Sequence, residues 1–335
     1  MRTASPLISV IVLNHDGRQW LSPCLGALLG QTEPDRELIL VDNASRDGSV
    51  DLVREQFPGV RVVALDENLG FAAGNNAGAR AASGRYLAFL NNDTVADASW
   101  LSELRRALES DLSAGLATSR IVYQHDPSIL DSAGDGYLRA GGGFKRFHGQ
   151  PVGRGLESGE VFGACGAAFM IRRELFETLG GFDEDFFMVY EDVDLSYRAR
   201  LGGARCLYVA SAIVLHAGSA TLGQVSPRAV FLGQRNLEWV YFKNTPWPLL
   251  WRSLPSHLAY DIAAGAGYAL QGQLLKFLAG KWAALAGLAR MWRKRRAVQR
   301  DRVAAPADLW RLMEPRWIAV KRLEKQFDFQ TRRSG

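Results

Sequence analysis

The sequence has little cysteine, and its cysteines lack the spacing that cysteine chemistry needs. Cys24, Cys165 and Cys206 form neither a close pair nor a metal-ligand motif. This argues against a disulfide scaffold and for a reducing compartment. A signal-peptide pattern is also lacking, because the apolar run from Leu7 to Leu13 is short and leads straight into polar residues. We expect that run to be a β-strand.

The sequence also lacks the glycine motifs with which many enzymes hold phosphate groups. The first predicted strand leads into NHDGR at residues 14–18, without GxGxxG or GxxxxGK[ST]. Those glycines let the backbone approach the phosphates, so their absence argues against a dehydrogenase and a P-loop kinase. A diphosphate can instead be held by a divalent cation on carboxylates, and hard oxygen ligands suit Mn²⁺ or Mg²⁺.

Hydrophobic runs long enough to span a membrane are lacking between residues 258 and 296. The longest uncharged run there, Ile262 to Leu275, is 14 residues long, whereas a span needs about 20. The segment is amphipathic instead. Lys276, Arg290 and Lys294 share one side of a helical wheel with Asp261, and the other side carries Leu274, Leu278, Trp282, Leu285 and Trp292. This pattern predicts a helix lying in a membrane interface, and packing against the rest of the protein is the alternative.

Charge is distributed unevenly along the chain. Residues 276–335 contain 16 Lys and Arg against 5 Asp and Glu, although the whole chain carries only +5. A basic end of this kind attracts an anionic membrane surface or a nucleic acid. The Trp and Leu residues on its apolar face argue against nucleic acid. We therefore expect a cytoplasmic protein held peripherally on the inner face of the cell membrane.

Short apolar runs alternate with helix-compatible stretches through the first hundred residues, in a chain of ordinary globular composition. Strands separated by helices predict a parallel sheet in an α/β protein. Ligands of such sheets bind beyond the carboxyl ends of the strands. Four predicted strands end in polar residues, namely Asn14-His15-Asp16, Asp42-Asn43, Asp66-Glu67-Asn68 and Asn91-Asn92-Asp93. One such end is typical of a turn, but four together indicate a binding site.

Two sets of side chains at predicted element ends carry chemistry. Asp93 is a candidate cation ligand, and His216, at the end of the apolar strand AIVLH, is a candidate second one. The second set is the acidic cluster Glu191, Asp192 and Asp194 before a predicted helix. Glu191 and Asp194 share a helix face, whereas Asp192 points elsewhere. Helix capping and surface charge are the alternative roles of these acids.

Seven motifs in order resemble the family-two inverting glycosyltransferases of GT-A fold, and within them the bacterial rhamnosyltransferases that build cell-surface polysaccharides. The resemblance runs from Leu7 to about Lys243 and rests on SVIVLNHDG, VDNASRDGS, ENLGFAAGNNAG, FLNNDT, GGFDEDFFMVYEDVDLSYR, HAGSAT and QRN. It implies an α/β fold with a mixed sheet flanked by helices. It implies a catalytic domain over residues 1–227, with a nucleotide-binding half (1–105) and an acceptor half (106–227). Residues 228–335 form a basic, amphipathic helical extension that we expect to associate with a membrane.

The resemblance also implies roles for individual residues. Nucleotide contacts fall to Asn14, Asp42, Asn68, Gly70 and Asn91. Asp93 and His216 correspond to metal contacts, and Asp192 to the catalytic base. Gly166, Asp183, Glu191 and Arg198 are candidates for acceptor or diphosphate contacts. The alternatives are a glycine-rich turn around Gly166, a helix end around Asp183 and helix-surface charge at Arg198. The family's Asp-x-Asp metal motif has Asn91 in place of its first acid, which puts a strict metal requirement in doubt.

These assignments predict transfer of a sugar from a nucleotide-diphosphate donor, with inversion. A carboxylate base acts on the acceptor hydroxyl and a divalent cation stabilises the leaving diphosphate. The expected reaction moves L-rhamnose from dTDP-rhamnose to a lipid-linked or growing cell-surface glycan. The alternatives are a UDP- or GDP-sugar transferase of the same fold, and an inactive sugar-nucleotide-binding membrane scaffold, which Asn91 leaves open.

Overall fold

The computed structural model describes residues 6–218 and 226–334. The strands are β1 (Ile8–Asn14), β2 (Arg36–Asp42), β3 (Arg61–Ala64), β4 (Tyr86–Asn91), β5 (Thr94–Ala96), β6 (Ala114–Tyr123), β7 (Leu130–Ser132), β8 (Asp135–Tyr137), β9 (Gly143–Lys145), β10 (Gly159–Val161), β11 (Ala168–Arg172) and β12 (Arg205–His216). Residues 219–221 of the HAGSAT motif lie outside the described residues.

The α-helices follow in the same chain order. They are α1 (Arg18–Leu29), α2 (Ser49–Gln56), α3 (Gly70–Ala81), α4 (Trp100–Ser110), α5 (Arg173–Thr178), α6 (Glu191–Leu201), α7 (Pro227–Asn244), α8 (Trp247–Leu270), α9 (Leu274–Ala286), α10 (Leu288–Arg300), α11 (Pro306–Leu312) and α12 (Trp317–Ser334). Two short 3₁₀ helices cover Val152–Gly155 and Glu184–Phe186.

The main sheet is mixed, as predicted. Its order is β10-β12-β6-β11-β4-β1-β2-β3, with β5 added to β12 and β7 added to β6. Strands β1 to β4 are parallel where they pair, and β11 runs antiparallel to both β4 and β6. Strand β12 is parallel to β6. The strands β1, β2, β4, β6 and β12 therefore all end at the same edge of the sheet.

Small residues let α3 pack closely on this sheet. A Cβ atom on Gly74 would lie 2.5 Å from Leu13 Cδ1, and one on Gly78 would lie 2.5 Å from Ile11 Cγ2. Any larger side chain at either position would push α3 away from β1. The glycines of the ENLGFAAGNNAG motif therefore fix how the helix sits behind the site.

The C-terminal helices pack on the rest of the protein through buried apolar residues such as Ala284 and Met291, and ion pairs of their basic side add to this contact. Arg290 forms an ion pair with Asp185, and Lys294 contacts both Asp183 and Asp185. The apolar side of the predicted amphipathic segment faces outward, and Trp282 is 71% exposed. Within the described ranges, no helix combines the length and the hydropathy of a membrane span.

Candidate active site

The carboxyl ends of β1 and β2 place a buried polar pair at the sheet edge. Asn14 stands opposite Asp42 in the parallel register, and its Nδ2 donates to Asp42 Oδ1 at 3.1 Å and to Ser45 Oγ at 3.1 Å. Asp42 Oδ2 accepts from the Ser45 N–H at 3.0 Å. Asn14 is fully buried, so these bonds replace those that water would supply. The structure thus brings two predicted nucleotide-binding residues together.

The loop after β3 is held by an asparagine that sequence reasoning did not single out. Asn43 Oδ1 accepts from the Leu69 N–H at 2.8 Å, and its Nδ2 donates to Asn68 Oδ1 and Gly70 O. Gly70 has φ of +79°, and a Cβ there would lie 2.5 Å from Phe187 O. The backbone itself therefore requires glycine at this position. The nucleotide contacts of Asn68 and Gly70 stay predictions.

Asn92, the neighbour of a predicted residue, faces the Asn14–Asp42 pair. Its Nδ2 donates to Asn14 Oδ1 at 2.7 Å, and a Cβ on Gly17 would lie 2.2 Å from it. The backbone of Asn91 continues the sheet, because its N–H donates to Ala167 O at 2.9 Å. The predicted nucleotide-binding residue Asn91 and the predicted metal-binding residue Asp93 thus lie at this edge of the sheet.

Asp93 and His216 meet at the end of β12. Strand β5 pairs with β12 so that Thr94 stands opposite His216, and Asp93 Oδ1 lies 3.3 Å from His216 Nε2. His216 Nδ1 lies 2.7 Å from Asp131 Oδ2. Burial lowers the pKa of His216, but its hydrogen bonds and the charges of Asp131 and Asp93 outweigh burial and raise it to about 9. The two predicted metal contacts are therefore neighbours.

The donor set at this point fits a divalent cation. Two ligands held about 2.1 Å from an ion at a right angle lie about 3 Å apart, close to the 3.3 Å between Asp93 and His216. A metal-binding histidine ordinarily donates its other ring N–H to a carboxylate, and Asp131 is so placed. Asp93 and His216 would hold the cation, and His216 would be neutral when bound.

A row of alternating charges continues from His216 into the acceptor half. Lys145 Nζ lies 2.7 Å and 2.9 Å from the two carboxylate oxygens of Asp131, and Lys145 stands opposite Asp135 in the β8–β9 hairpin. Burial raises the pKa of Asp131, but the nearby charge of Lys145 and the hydrogen bonds of His148 and His216 take it well below 3.8. We call Asp93, His216, Asp131, Lys145 and Asp135 the charge row.

Asp192 lies at the first turn of α6, against the loop that precedes β11. Its Oδ2 accepts from the Gly166 N–H at 2.7 Å, and its Oδ1 from the Val193 N–H at 2.7 Å. A Cβ on Gly166 would lie 2.8 Å from Asp192 Oδ2, so glycine is required for this contact. Burial raises the pKa of Asp192 above 3.8, and the two N–H groups offset this only in part. A raised pKa makes the carboxylate a stronger base.

Two acids near Asp192 are buried. Burial, and then the charge of Asp192, raise the pKa of Asp135 well above 3.8. The same two causes raise the pKa of Glu191 well above 4.5, and Glu191 Oε2 has no hydrogen-bond partner among the described residues. Both environments favour the neutral acid. Asp192 is therefore the acid of this group with hydrogen bonds suited to a carboxylate.

Asp194 is not the capping or surface residue that the sequence allowed. Its side chain is fully buried, 2.7 Å from Arg198 Nε and 2.7 Å from Lys243 Nζ. Asn244 Nδ2 donates to it at 2.8 Å. The sequence could not show this, because two of these partners come from α7, about fifty residues further along the chain.

The side chains of Asp183 and Arg198 are held by hydrogen bonds and ion pairs with other groups of the protein. Arg198 donates to Asp194, to Leu179 O at 2.7 Å and to Gly181 O at 2.9 Å. Asp183 lies 2.6 Å from Lys243 Nζ. Both line a cavity of about 500 Å³ between α6 and α10. Their proposed contacts with acceptor or diphosphate remain predictions, as do those of Gly166 and Glu191.

The mixed sheet with buried polar residues at its strand ends fits the GT-A glycosyltransferase fold that the sequence motifs predicted. Residues 9–180 match the model of glycosyl transferase family 2. The chain therefore belongs to glycosyl transferase family 2.

Curated relatives include transferases of bacterial surface glycans. The O-antigen biosynthesis protein RfbC of Myxococcus xanthus is 32% identical over 72% of this chain and 19% of its own length. The N-acetylglucosaminyl-diphospho-decaprenol L-rhamnosyltransferase of Mycobacterium tuberculosis is 26% identical over 75% of this chain and 92% of its own length. This chain spans only 38% of a third relative, the putative teichuronic acid biosynthesis glycosyltransferase TuaG of Bacillus subtilis.

Solved structures share the GT-A fold at low identity. The mannosyltransferase PcManGT of Pyrobaculum calidifontis, in complex with GDP-Man and Mn²⁺, has a TM-score of 0.53 and 21% identity, covering 89% of this chain and 86% of its own. GalNAc-T7 with UDP, GalNAc and Mn²⁺ has a TM-score of 0.57 and 18% identity, covering 72% of this chain and 50% of its own. At these identities the likeness shows the fold.

Proposed function

We propose that the protein transfers L-rhamnose from dTDP-rhamnose, with inversion, to a lipid-linked or growing cell-surface glycan. The observation that carries the transfer chemistry is the placement of two different groups at one sheet edge. Asp93 and His216 lie 3.3 Å apart, and Asp192 is held by Gly166, whose neighbour Ala167 accepts from the Asn91 N–H. A cation pair and a base thus flank the space where a sugar would lie.

The groups on the two sides of this space would act on different parts of the reaction. Asp93 and His216 would hold a divalent cation, and such a cation would supply positive charge for the leaving diphosphate. Asn14 and Asp42 contact the nucleoside. Asp192 accepts the proton of the acceptor hydroxyl while oxygen attacks the sugar from the face opposite the diphosphate. Two solved structures of the same fold hold Mn²⁺, which supports the cation.

The proposed donor and acceptor are taken from the activities of the relatives. One relative is a rhamnosyltransferase acting on an N-acetylglucosaminyl-diphospho-decaprenol, and another belongs to O-antigen biosynthesis. Two related structures hold UDP or GDP-Man instead, so the strand ends of this fold accept several nucleosides. A UDP- or GDP-sugar transferase remains the second candidate.

A donor panel tests this proposal. We expect dTDP-rhamnose, rather than UDP- or GDP-sugars, to release nucleoside diphosphate when a diphosphate-linked lipid acceptor is added. The measurement is coupled detection of the diphosphate, with Asp192→Asn as the inactive control. Release from a UDP- or GDP-sugar alone would contradict the rhamnosyl assignment. Nucleotide binding without release from any donor would identify a scaffold rather than an enzyme.

We propose further that α8 and α9 rest on an anionic membrane at the inner face of the cell. Exposed apolar residues recur at helical spacing on one face of each helix: Trp247, Trp251, Leu258 and Ile262 on α8, and Leu275, Leu278, Trp282 and Leu285 on α9. We call these eight residues the interfacial patch. Arg252 and Lys276 are exposed on the same two helices, and Arg293 and Arg296 are exposed on the next helix, α10. Clustered basic residues near an anionic surface contribute about 1 kcal/mol each.

Vesicle binding tests the interfacial patch. The double variant Trp251→Glu with Trp282→Glu should lose cosedimentation with vesicles containing phosphatidylglycerol, because it places two charges where aromatic rings would enter the headgroup region. Leu112→Glu is the matched control, since Leu112 is 87% exposed on the catalytic domain. If the double variant cosediments as well as the control, the patch does not contact the membrane.

A further inference from the structure

The loop that precedes the candidate base has an unusual backbone conformation. Between the 3₁₀ helix Glu184–Phe186 and α6, the residues Phe187, Val189 and Tyr190 have φ of 64°, 69° and 76°. Left-handed backbone is rare for residues other than glycine, and rarest for bulky or β-branched side chains. Such conformations persist only where the surroundings hold them, and they cluster at functional sites. The loop therefore needs an external support.

Helix α7 supplies that support through the QRN motif. Asn236 is fully buried, and its Nδ2 lies 3.0 Å from Phe186 O, 2.9 Å from Met188 O and 2.6 Å from Val189 O. Arg235 Nε donates to Asn236 Oδ1 at 2.9 Å, which fixes the orientation of the amide. Three carbonyls of the strained loop thus converge on one side chain.

A second layer strengthens the same contact. Arg235 Nη2 donates to Asp185 O at 3.1 Å and to Phe186 O at 3.0 Å. On the opposite side of the loop, Phe187 O accepts from the Ala72 N–H at 3.1 Å. The loop is therefore fixed between α7 and the first turn of α3.

The loop leads directly into the base. Tyr190 is the residue before α6, its carbonyl accepts from the Asp194 N–H at 2.9 Å, and Asp192 lies in the same first turn. The position of that turn decides whether Asp192 Oδ2 reaches the Gly166 N–H. We propose that Asn236, oriented by Arg235, is a positioning residue that holds the left-handed loop and so keeps Asp192 aimed at the acceptor hydroxyl.

This inference rests on the proposed function for the identity of the base, and it adds a role for a motif that the mechanism does not use. Lys243 and Asn244 also hold the first turn of α6, through Asp194. If those contacts alone placed the base, removing the Asn236 amide would leave turnover unchanged. The two possibilities therefore differ in a measurable result.

The test is Asn236→Ala in the full chain. We expect kcat to fall by about 10–100-fold, because a displacement of about 1 Å at a catalytic group costs up to about 100-fold. The affinity for dTDP should stay within about 2-fold, since Asn14, Asp42 and Asp93 lie on other elements. The matched control is Gln234→Ala, two residues earlier on the same helix and likewise buried. It should leave kcat unchanged, because no hydrogen bond joins Gln234 to the loop among the described residues.

Rescue separates positioning from general stability. Adding Val189→Gly to Asn236→Ala should recover part of the lost kcat, because glycine takes a positive φ without steric cost. A crystal structure of Asn236→Ala shows the loop conformation and the Asp192–Gly166 distance, whether or not the variant is active. Unchanged kcat, an unchanged loop, or parallel losses of kcat and dTDP affinity without rescue would each overturn the proposal.

A second variant and the activity of the wild-type protein complete the test. If Asn236→Ala does not fold, Arg235→Met removes the second layer and the bond that orients the Asn236 amide but keeps the amide itself, and it should lower kcat by a smaller factor at unchanged dTDP affinity. Unchanged kcat in that variant would overturn the proposal. If the wild-type protein turns over no donor, the proposed function fails, and the crystal structure still decides whether Asn236 holds the loop.

Discussion

Asp192→Asn is expected to lower turnover by about 10²–10⁴, the usual contribution of a positioned general base. The amide keeps the size of the side chain and can still accept from the Gly166 N–H, so the loop 165–167 should stay in place. Basicity is lost, and the raised pKa of Asp192 shows that burial favours proton uptake there. Donor affinity should barely change, because Asp93 and His216, the residues proposed to act on the donor, are left in place.

Glu191→Gln is the matched control for this variant. Burial favours the neutral acid at Glu191, so an amide replaces a group of the same charge and size. Asp194→Asn is a poor control, because Asp194 is fully buried beside Arg198 and Lys243 and its charge is needed there. Near-native turnover in Asp192→Asn with loss in Glu191→Gln would place the base one residue earlier. Weakened donor binding in Asp192→Asn would make its role structural.

Asp93→Asn is expected to abolish the effect of Mn²⁺ or Mg²⁺ on nucleoside diphosphate binding. Of the two proposed protein ligands, only His216 would remain, and its approach to the cation relies on Asp131. The measurement is titration calorimetry with dTDP in the presence of the cation and again with EDTA. The wild-type protein should bind more tightly with the cation, and Asp93→Asn should bind equally weakly in both conditions.

The controls for this experiment lie at the same sheet edge. Asp66→Asn removes an exposed acid beyond β3 and should leave the effect of EDTA unchanged. Asn91→Asp restores the acid that the family motif has, and should strengthen the dependence on the cation because a second carboxylate becomes available. Equal affinity with and without EDTA in the wild-type protein would remove the cation from the mechanism.

The strand-end residues could be predicted because two simple rules apply to them. Apolar runs separated by helices give a parallel sheet, and the carboxyl ends of its strands share an edge. The structure confirms that Asn14 and Asp42 are opposite each other there, with Asp93 beside His216. The positions of these residues follow from the sheet alone, without any contact from elsewhere in the chain.

Asp131 and Lys145 could not be predicted in the same way. They come from a glycine-rich stretch whose sequence has no clear period, and Asp131 is 85 residues before the histidine that it contacts. The amphipathic C-terminal pattern predicted helices but not which face would be covered. Arg290 and Lys294 turn inward because Asp183 and Asp185 lie beneath them, a pairing that no local pattern contains.

The charge row limits how this site can be redesigned. Asp93, His216, Asp131, Lys145 and Asp135 follow one another with few intervening atoms. Removing Asp131 or Lys145 leaves a charged partner without its counter-charge in a buried setting, which costs far more than the lost pair was worth. Single substitutions at these inner members are therefore expected to lower stability as well as activity. To alter donor or acceptor specificity, adjacent members should be exchanged together, so that each charge keeps a partner of opposite sign.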